Sequence, residues 1–156
     1  MKKKVKPERI SWNKYFFKIA RLVSERSTCL KQKEGAVIVK DKRILTTGYN
    51  GAPAKLPHCL EIGCIREEKG LKDNEQLEIC RGLDAIQNAV IQAATCGVSI
   101  KDSVLYATHT PSITSVKIII NAGIKKILVS QGKLEPLAAS LLSQSRVKIR
   151  RIKCRN

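Results

Sequence analysis

The first part of the chain alternates between two hydrophobic periods. Over residues 11–27, apolar side chains recur three and four positions apart behind Ser11, a favourable helix N-cap. This spacing predicts an amphipathic helix over residues 11–27. Two short apolar runs follow, at 36–39 and 44–47, with a polar Lys40-Asp41-Lys42 turn between them. They predict a β-hairpin.

The rest of the chain begins with a long segment that has no hydrophobic period. Residues 49–80 are rich in Gly, Pro, Cys and charge, and they predict a long loop of the kind that usually has a function or is held in place. Beyond it we expect helices and strands in alternation: a helix over 84–96, a strand over 104–107, a helix over 113–122, a strand over 127–129, a helix over 135–144 and a strand over 147–152. This order predicts an α/β sandwich with a mixed sheet.

Composition supports one folded, basic domain. The 156 residues are 43% hydrophobic and carry a formal charge of +17. Residues 1–43 carry +10 and residues 101–156 carry +9, so we expect a single domain over 1–156 with a basic tail at 1–9 and a basic strand at 146–156. Such ends either meet phosphates, including those of nucleic acids, or form a solvated surface.

The apolar and cysteine patterns argue against a membrane-spanning protein and against a secreted one. No apolar run approaches the roughly 20 residues that a membrane span needs, and Pro7, Glu8 and Arg9 stand where a signal peptide would be apolar. Six cysteines without such a signal predict thiols or metal ligands rather than disulfides. We therefore expect a cytoplasmic protein.

Several stretches resemble one enzyme family. They are Arg26-Ser27-Thr28-Cys29, Gly35-Ala36-Val37-Ile38-Val39, Gly48-Tyr49-Asn50-Gly51-Ala52-Pro53, His58-Cys59, Gly63-Cys64-Ile65-Arg66-Glu67, Cys80-Arg81-Gly82-Leu83, Gln87-Asn88-Ala89 and Ile119-Ile120-Asn121-Ala122-Gly123-Ile124-Lys125. In this order they resemble the deoxycytidylate (dCMP) deaminases of the zinc-dependent cytidine deaminase superfamily. The resemblance implies a three-layer α/β/α sandwich with a mixed central sheet.

The catalytic motif of that family is altered here. Its members carry His-Ala-Glu at one helix start and Pro-Cys-x-x-Cys at the next; the His and both Cys hold zinc and the Glu moves protons. The corresponding residues in this chain are Asp84, Ile86, Ser112 and Ser115. Serine hydroxyls bind zinc poorly at neutral pH, and isoleucine cannot carry a proton. We expect no catalytic zinc, although a different metal held by Asp84 with His109 and a loop residue is an alternative.

Four of the cysteines predict a second metal site. Spacing alone is a weak signal for Cys29, Cys59, Cys64 and Cys80, but resemblance to dCMP deaminases implies one structural zinc per chain that fastens the long loop. His58 is the substitute ligand. Cys96 and Cys154 are expected to bind no metal.

The hairpin ends in a turn sequence, and the resemblance implies a further role for it. In the family this loop borders the nucleotide, so Asn50 and Tyr49 are candidate contacts, with Arg26 and Lys31 as candidate phosphate ligands. His109 is expected to make an ordinary hydrogen bond.

We therefore expect a dCMP deaminase-like protein without catalytic activity. Its partners would be a deoxycytidine nucleotide and copies of itself or an active paralogue, since members of the family form hexamers. Two alternatives stay open: a dCMP deaminase that is active or was inactivated by substitution, and a basic scaffold associated with nucleic acid.

Overall fold

The computed structural model describes residues 9–72 and 75–152. The helices are α1 (Trp12–Ser24), α2 (Cys59–Ile62), α3 (Ile65–Glu68), α4 (Ala85–Thr95), α5 (Ile113–Asn121) and α6 (Pro136–Gln144), with a 3₁₀ turn at Leu77–Ile79. The strands are β1 (Gly35–Lys40), β2 (Arg43–Tyr49), β3 (Val104–His109), β4 (Lys126–Gln131) and β5 (Lys148–Arg151). Each predicted helix and strand is present, with bounds that differ by a few residues.

The strands form one mixed sheet in the order β2-β1-β3-β4-β5 within the described residues. β1 pairs antiparallel with β2 and with β3, whereas β3, β4 and β5 are parallel. The hairpin turns at Asp41 and Lys42, which both have positive φ. The carboxyl ends of β3 and β4 therefore meet at one edge of the sheet, next to the start of β1.

Helices cover both faces of the sheet and make three layers. On one face Phe16, Phe17 and Ala20 of α1 pack against Tyr106 and Leu128. On the other, buried residues of α4, α5 and α6 pack against the opposite sides of β1, β3 and β4. This is the α/β/α sandwich expected from the sequence.

Glycines allow two helices to lie directly on the hairpin. A Cβ on Gly35 would stand 2.0 Å from the Ala20 carbonyl oxygen of α1. A Cβ on Gly48 would stand 2.3 Å from the Ala85 carbonyl oxygen of α4. Because backbone cannot yield at such distances, these contacts require glycine, and they fix the start of α4 against the end of β2.

The long loop is more ordered than its sequence indicates. It contains α2, α3 and the 3₁₀ turn, and Arg66 holds it together from a buried position. The Arg66 guanidinium donates to the carbonyl oxygens of Lys72 (2.7 Å) and Glu75 (3.0 Å). The prediction of an irregular segment over 49–80 was therefore wrong in part, because side-chain contacts rather than a hydrophobic period stabilise these short helices.

Both ends of the chain extend past the described residues. The expected basic tail at 1–9 lies outside them apart from Arg9, as does Cys154. The basic strand is present as β5, where Lys148, Arg150 and Arg151 are exposed at an edge of the sheet. No helix in the described part of the chain is long and apolar enough to cross a membrane.

Candidate functional site

A large cavity opens where β3 and β4 end at their carboxyl termini. It has a volume of about 590 Å³ and is bordered by the starts of α4 and α5, the residues before β1, and the long loop. Asp84, Ile86 and Ser112 line one wall, and Cys29, Cys59, Cys64 and Cys80 line another. The structure thus brings Asp84, Ile86 and Ser112 to the same cavity as the four cysteines.

Asp84 closes the start of α4 through its own side chain. Its Oδ1 accepts a hydrogen bond from the Gln87 backbone N–H (2.8 Å), and the Gln87 side chain accepts one from the Asp84 N–H (3.2 Å). This reciprocal pair is a capping box, which satisfies two backbone donors at the helix start.

The second carboxylate oxygen of Asp84 joins α4 to α5. Its Oδ2 accepts hydrogen bonds from Ser112 Oγ (3.0 Å) and from Ser115 Oγ. Ser112 is itself the N-cap of α5, where its Oγ accepts from the Ser115 N–H. The three side chains at the positions that the resemblance gives to zinc ligands therefore bind one another.

These donors do not fit a catalytic zinc. One carboxylate, both of whose oxygens already accept hydrogen bonds, and two hydroxyls lack the thiolate and imidazole that zinc prefers. Ile86 is 3% exposed and supplies no proton-carrying atom. In the described part of the chain, no group of three or more His, Cys, Asp and Glu is placed to hold a metal ion.

The cysteine wall differs in the chemistry of its donors. Cys64 is buried and the other three thiols are partly buried, and all four are free. Burial raises the pKa of the Cys59 thiol, and the neighbouring Cys64, Cys29 and Cys80 raise it further. Four thiols near one another are a zinc-type donor set, although they are not arranged as ligands around one point here.

Asn50 lies in the same cavity and makes several internal hydrogen bonds. Its Oδ1 accepts from Ser27 Oγ (2.6 Å) and from the Glu34 N–H (2.8 Å), and its Nδ2 donates to the Gln32 carbonyl (2.8 Å). Asn50 is 9% exposed. Its side chain therefore fixes the shape of the cavity rim between β2 and the segment before β1.

Glu34 is a cavity residue that sequence reasoning missed. Its Oε1 accepts from Gln32 Nε2 (2.7 Å). Burial and the nearby Asp84 carboxylate raise the pKa of Glu34 to about 7, against the opposing hydrogen bonds from Gln32 and the Ala85 N–H. The available signal was a single acidic residue directly before the apolar run of β1.

The other predicted residues are distributed unevenly around the cavity. Lys31 lines it, and its Nζ donates to the Leu71 carbonyl (3.4 Å). Arg26 and Tyr49 are exposed and are not part of the lining. His58 is exposed and its ring contacts Thr28 Oγ1 (3.3 Å). Cys96 is exposed at the end of α4.

His109 lines the cavity as a hydrogen-bonded side chain. Its Nδ1 lies 3.0 Å from Thr108 Oγ1, and its Nε2 lies 2.8 Å from Gln131 Nε2. Burial lowers the pKa of its imidazole, so the ring is neutral at pH 7. Both ring nitrogens are thus engaged within the protein.

Comparison with known proteins identifies the family of this chain. Residues 10–131 match the family model described as the cytidine and deoxycytidylate deaminase zinc-binding region. The chain belongs to this family. The match includes both helix starts of the altered motif and the four clustered cysteines.

Two curated relatives show how far the family likeness extends. ComE operon protein 2 of Bacillus subtilis is 37% identical over 93% of this chain and 73% of its own length. The deoxycytidylate deaminase of Saccharomyces cerevisiae is 38% identical over 79% of this chain, which spans 38% of the yeast protein. The likeness covers most of this chain in both.

A solved structure of the family has the same fold. The dCMP deaminase of cyanophage S-TIM5, crystallised with dCMP and dUMP, is 29% identical and superposes with a TM-score of 0.77. The superposition covers 94% of this chain and all of the phage chain. The α/β/α sandwich with its mixed sheet is therefore the fold of the dCMP deaminases.

Proposed function

We propose that this chain is a catalytically silent member of the family that binds a deoxycytidine nucleotide in the cavity. The hydrogen bonds from Ser112 and Ser115 to the Asp84 carboxylate carry this proposal. Asp84, Ser112 and Ser115 stand at the positions that the resemblance gives to zinc ligands, and here their side chains cap helix starts and join α4 to α5. Family membership supports nucleotide chemistry, and the altered corner argues against hydrolysis.

The residue at the family's proton-carrying position, Ile86, is a separate argument against the family's mode of deamination. The reaction needs an activated water and a group that moves protons to and from the base. The buried Ile86 side chain does neither. Asp84 is engaged with Gln87, Ser112 and Ser115, so it does not replace the missing acid and base.

The cavity supports retained binding. Its volume of about 590 Å³ lies within the range of small-molecule sites. Lys31 and Lys133 place positive charge on its lining, which suits a phosphate group. The phage relative was crystallised with dCMP and dUMP, and this supports the same ligand class here.

Zinc is proposed at the cysteine wall and not at the altered corner. Cys29, Cys59, Cys64 and Cys80 have the donor chemistry of a structural zinc site, and they join the long loop to the segment after α1. Zinc bound there would stabilise the fold. These residues would hold the metal without taking part in any chemical step.

Metal analysis, a deamination assay and calorimetry together test the proposal. We expect about one zinc per chain, no conversion of dCMP to dUMP above background, and saturable binding of dCMP. Conversion of dCMP that is abolished in Asp84→Ala would refute catalytic silence. Two zinc ions per chain would refute the proposal that the corner between α4 and α5 binds no zinc, and zinc-free protein would refute the cysteine site.

Self-association and nucleic-acid binding stay predictions. A charge of +17 per chain requires an oligomer to keep its basic ends apart or to recruit anions. Light scattering that finds only monomers at physiological salt would contradict self-association.

The exposed Lys148, Arg150 and Arg151 of β5 would bind nucleic acid with a steep salt dependence, and replacing them would flatten that dependence.

A further inference from the structure

Glu34 places a carboxyl group in the cavity at a point that the altered motif does not explain. It precedes β1, and its backbone is fixed on both sides by Asn50. The Glu34 N–H donates to Asn50 Oδ1 (2.8 Å), and its carbonyl accepts from the Asn50 N–H (3.3 Å). The hairpin and the rim of the cavity thus hold the residue in one position.

The side chain of Glu34 is also positioned. Gln32 Nε2 donates to its Oε1 (2.7 Å), and the Ala85 N–H at the start of α4 donates to the carboxyl group. In both of these hydrogen bonds the carboxyl group of Glu34 is the acceptor. When the group is neutral, its O–H therefore remains as a donor for a ligand in the cavity.

Its surroundings determine when the group is neutral. Burial raises the pKa of Glu34 and the nearby Asp84 carboxylate raises it further, to about 7, so that the acid form is well populated at neutral pH. His109 is uncharged at that pH, and it changes charge only in more acidic solution. The other charged or titratable groups on the cavity lining are the four cysteines, Lys31, Arg66, Glu78, Lys133 and Glu135.

A neutral carboxyl group has a specific complement. It presents one donor and one acceptor side by side, which match a base edge with an adjacent acceptor and donor, as at N3 and the exocyclic amine of cytosine. Ile86 offers no hydrogen bond, and the oxygens of Asp84 already accept several. Glu34 is thus the acid on this wall that is best placed to bind a base edge.

We propose that Glu34 is a specificity-determining residue of the cavity, and that its neutral carboxyl group pairs with the hydrogen-bonding edge of a pyrimidine base. This rests on the proposed nucleotide binding and adds the group that recognises the base. Ionised Glu34 has lost its donor, so the binding of a nucleotide takes up a proton, and the uptake approaches one proton per nucleotide as the pH rises well above neutral. Glutamine at this position keeps a donor and an acceptor at every pH.

The test is calorimetric titration of the full chain with dCMP between pH 7 and pH 8.5, where the nucleotide phosphate is already ionised. For the unmodified protein we expect an affinity that falls about fifteenfold over this range, since a group with a pKa of about 7 leaves its neutral form there. Buffers of different ionisation enthalpy should report uptake of nearly one proton per dCMP at pH 8.5.

Three variants separate recognition from a structural role. Glu34→Gln should bind with an affinity that is constant over this pH range and without proton uptake. Glu34→Leu should bind at least tenfold more weakly at pH 7, and Glu78→Gln, which neutralises another cavity carboxylate, should keep the slope. A slope that survives in Glu34→Gln, or unweakened binding by Glu34→Leu, would overturn the proposal and leave nucleotide binding intact. If the unmodified protein binds no dCMP at any of these pH values, both proposals fail.

Discussion

The corner between α4 and α5 and the cysteine wall differ in how far the polar groups of their side chains are already hydrogen-bonded within the protein. At the corner of α4 and α5, Asp84 accepts hydrogen bonds from Gln87, Ser112 and Ser115, so the corner is complete without a ligand. Along the cysteine wall, four thiols lie near one another, and burial together with the neighbouring thiols raises the pKa of Cys59. The corner has internal hydrogen bonds at the positions that the resemblance gives to zinc ligands, whereas the cysteine wall has donors that suit a metal.

This difference shows that side-chain hydrogen bonds hold the two helix starts together at the corner. A helix start needs acceptors for its free backbone N–H groups, and Asp84 and Ser112 provide them at α4 and α5. A zinc ion at this place would join the same two helices. The Asp84 to Ser115 hydrogen bond makes that connection without metal, so losing zinc here does not require losing the sandwich.

Rebuilding the corner should produce the largest change. Asp84→His with Ser112→Cys and Ser115→Cys supplies a His, Cys, Cys donor set on helices that already converge. We expect one additional zinc per chain without turnover of dCMP. Adding Ile86→Glu should raise conversion to dUMP to at least about a hundredfold above the background rate, since a positioned acid or base usually contributes that much or more.

The control for this series is Ile86→Glu alone, which should bind no extra zinc and convert no dCMP. Metal content and dUMP formation are measured on the same preparations. Failure of the triple variant to bind the extra zinc would show that the two helix starts are not spaced as described.

Removing a thiol should have the next largest effect. If zinc binds the cysteine wall, Cys64→Ser should lower stability by about 3 kcal/mol, or melting temperature by roughly 10 °C, because metal binding and folding are coupled. Chelation should reproduce this change in the unmodified protein. Cys96→Ser is the matched control, since Cys96 is exposed and stands apart from the cavity lining. Equal melting of both variants would contradict the metal site.

The pH dependence of stability tests whether the pKa of Glu34 is raised in the folded protein. Its pKa rises from an ordinary value of 4.5 to about 7 on folding, so the folded state holds this proton more tightly than the unfolded state. The resulting stabilisation is complete below about pH 4.5 and is lost as the pH rises through 7. We expect this contribution to be at most about 3 kcal/mol.

Glu34→Gln should therefore lose less stability than the unmodified protein between pH 5 and pH 8. Urea unfolding at several pH values measures the difference between the two, which removes the contribution of other carboxyl groups. Parallel curves would show that Glu34 ionises alike in the folded and unfolded states.

The sequence was sufficient where structure follows from local patterns. Apolar periodicity predicted α1 and the sheet, and Asp84 and Ser112 were recognisable as helix caps from their positions alone. It was insufficient where distant segments meet. Glu34 acquires its raised pKa because the pairing of β1 with β2 and the bridge between Gly51 and Leu83 bring it to Asp84, fifty residues later. The helices of the long loop depend on Arg66 and the carbonyls it binds, which no periodicity records.

The smallest effect is expected from one hydroxyl at the corner. Ser115 is fully buried, and Ser115→Ala removes a hydrogen bond to Asp84 while leaving that carboxylate partly buried. The cost should be about 1.5 kcal/mol of unfolding free energy, the lower end of the usual range for a hydrogen bond to a charged group, because the Asp84 carboxylate is partly exposed. Ser143→Ala, on the exposed side of α6, should cost much less, although its Oγ also donates to a carbonyl. A double-mutant cycle with Asp84→Asn isolates the pair. A coupling energy near zero would mean that the serine does not join the helices, and that another contact has replaced the zinc.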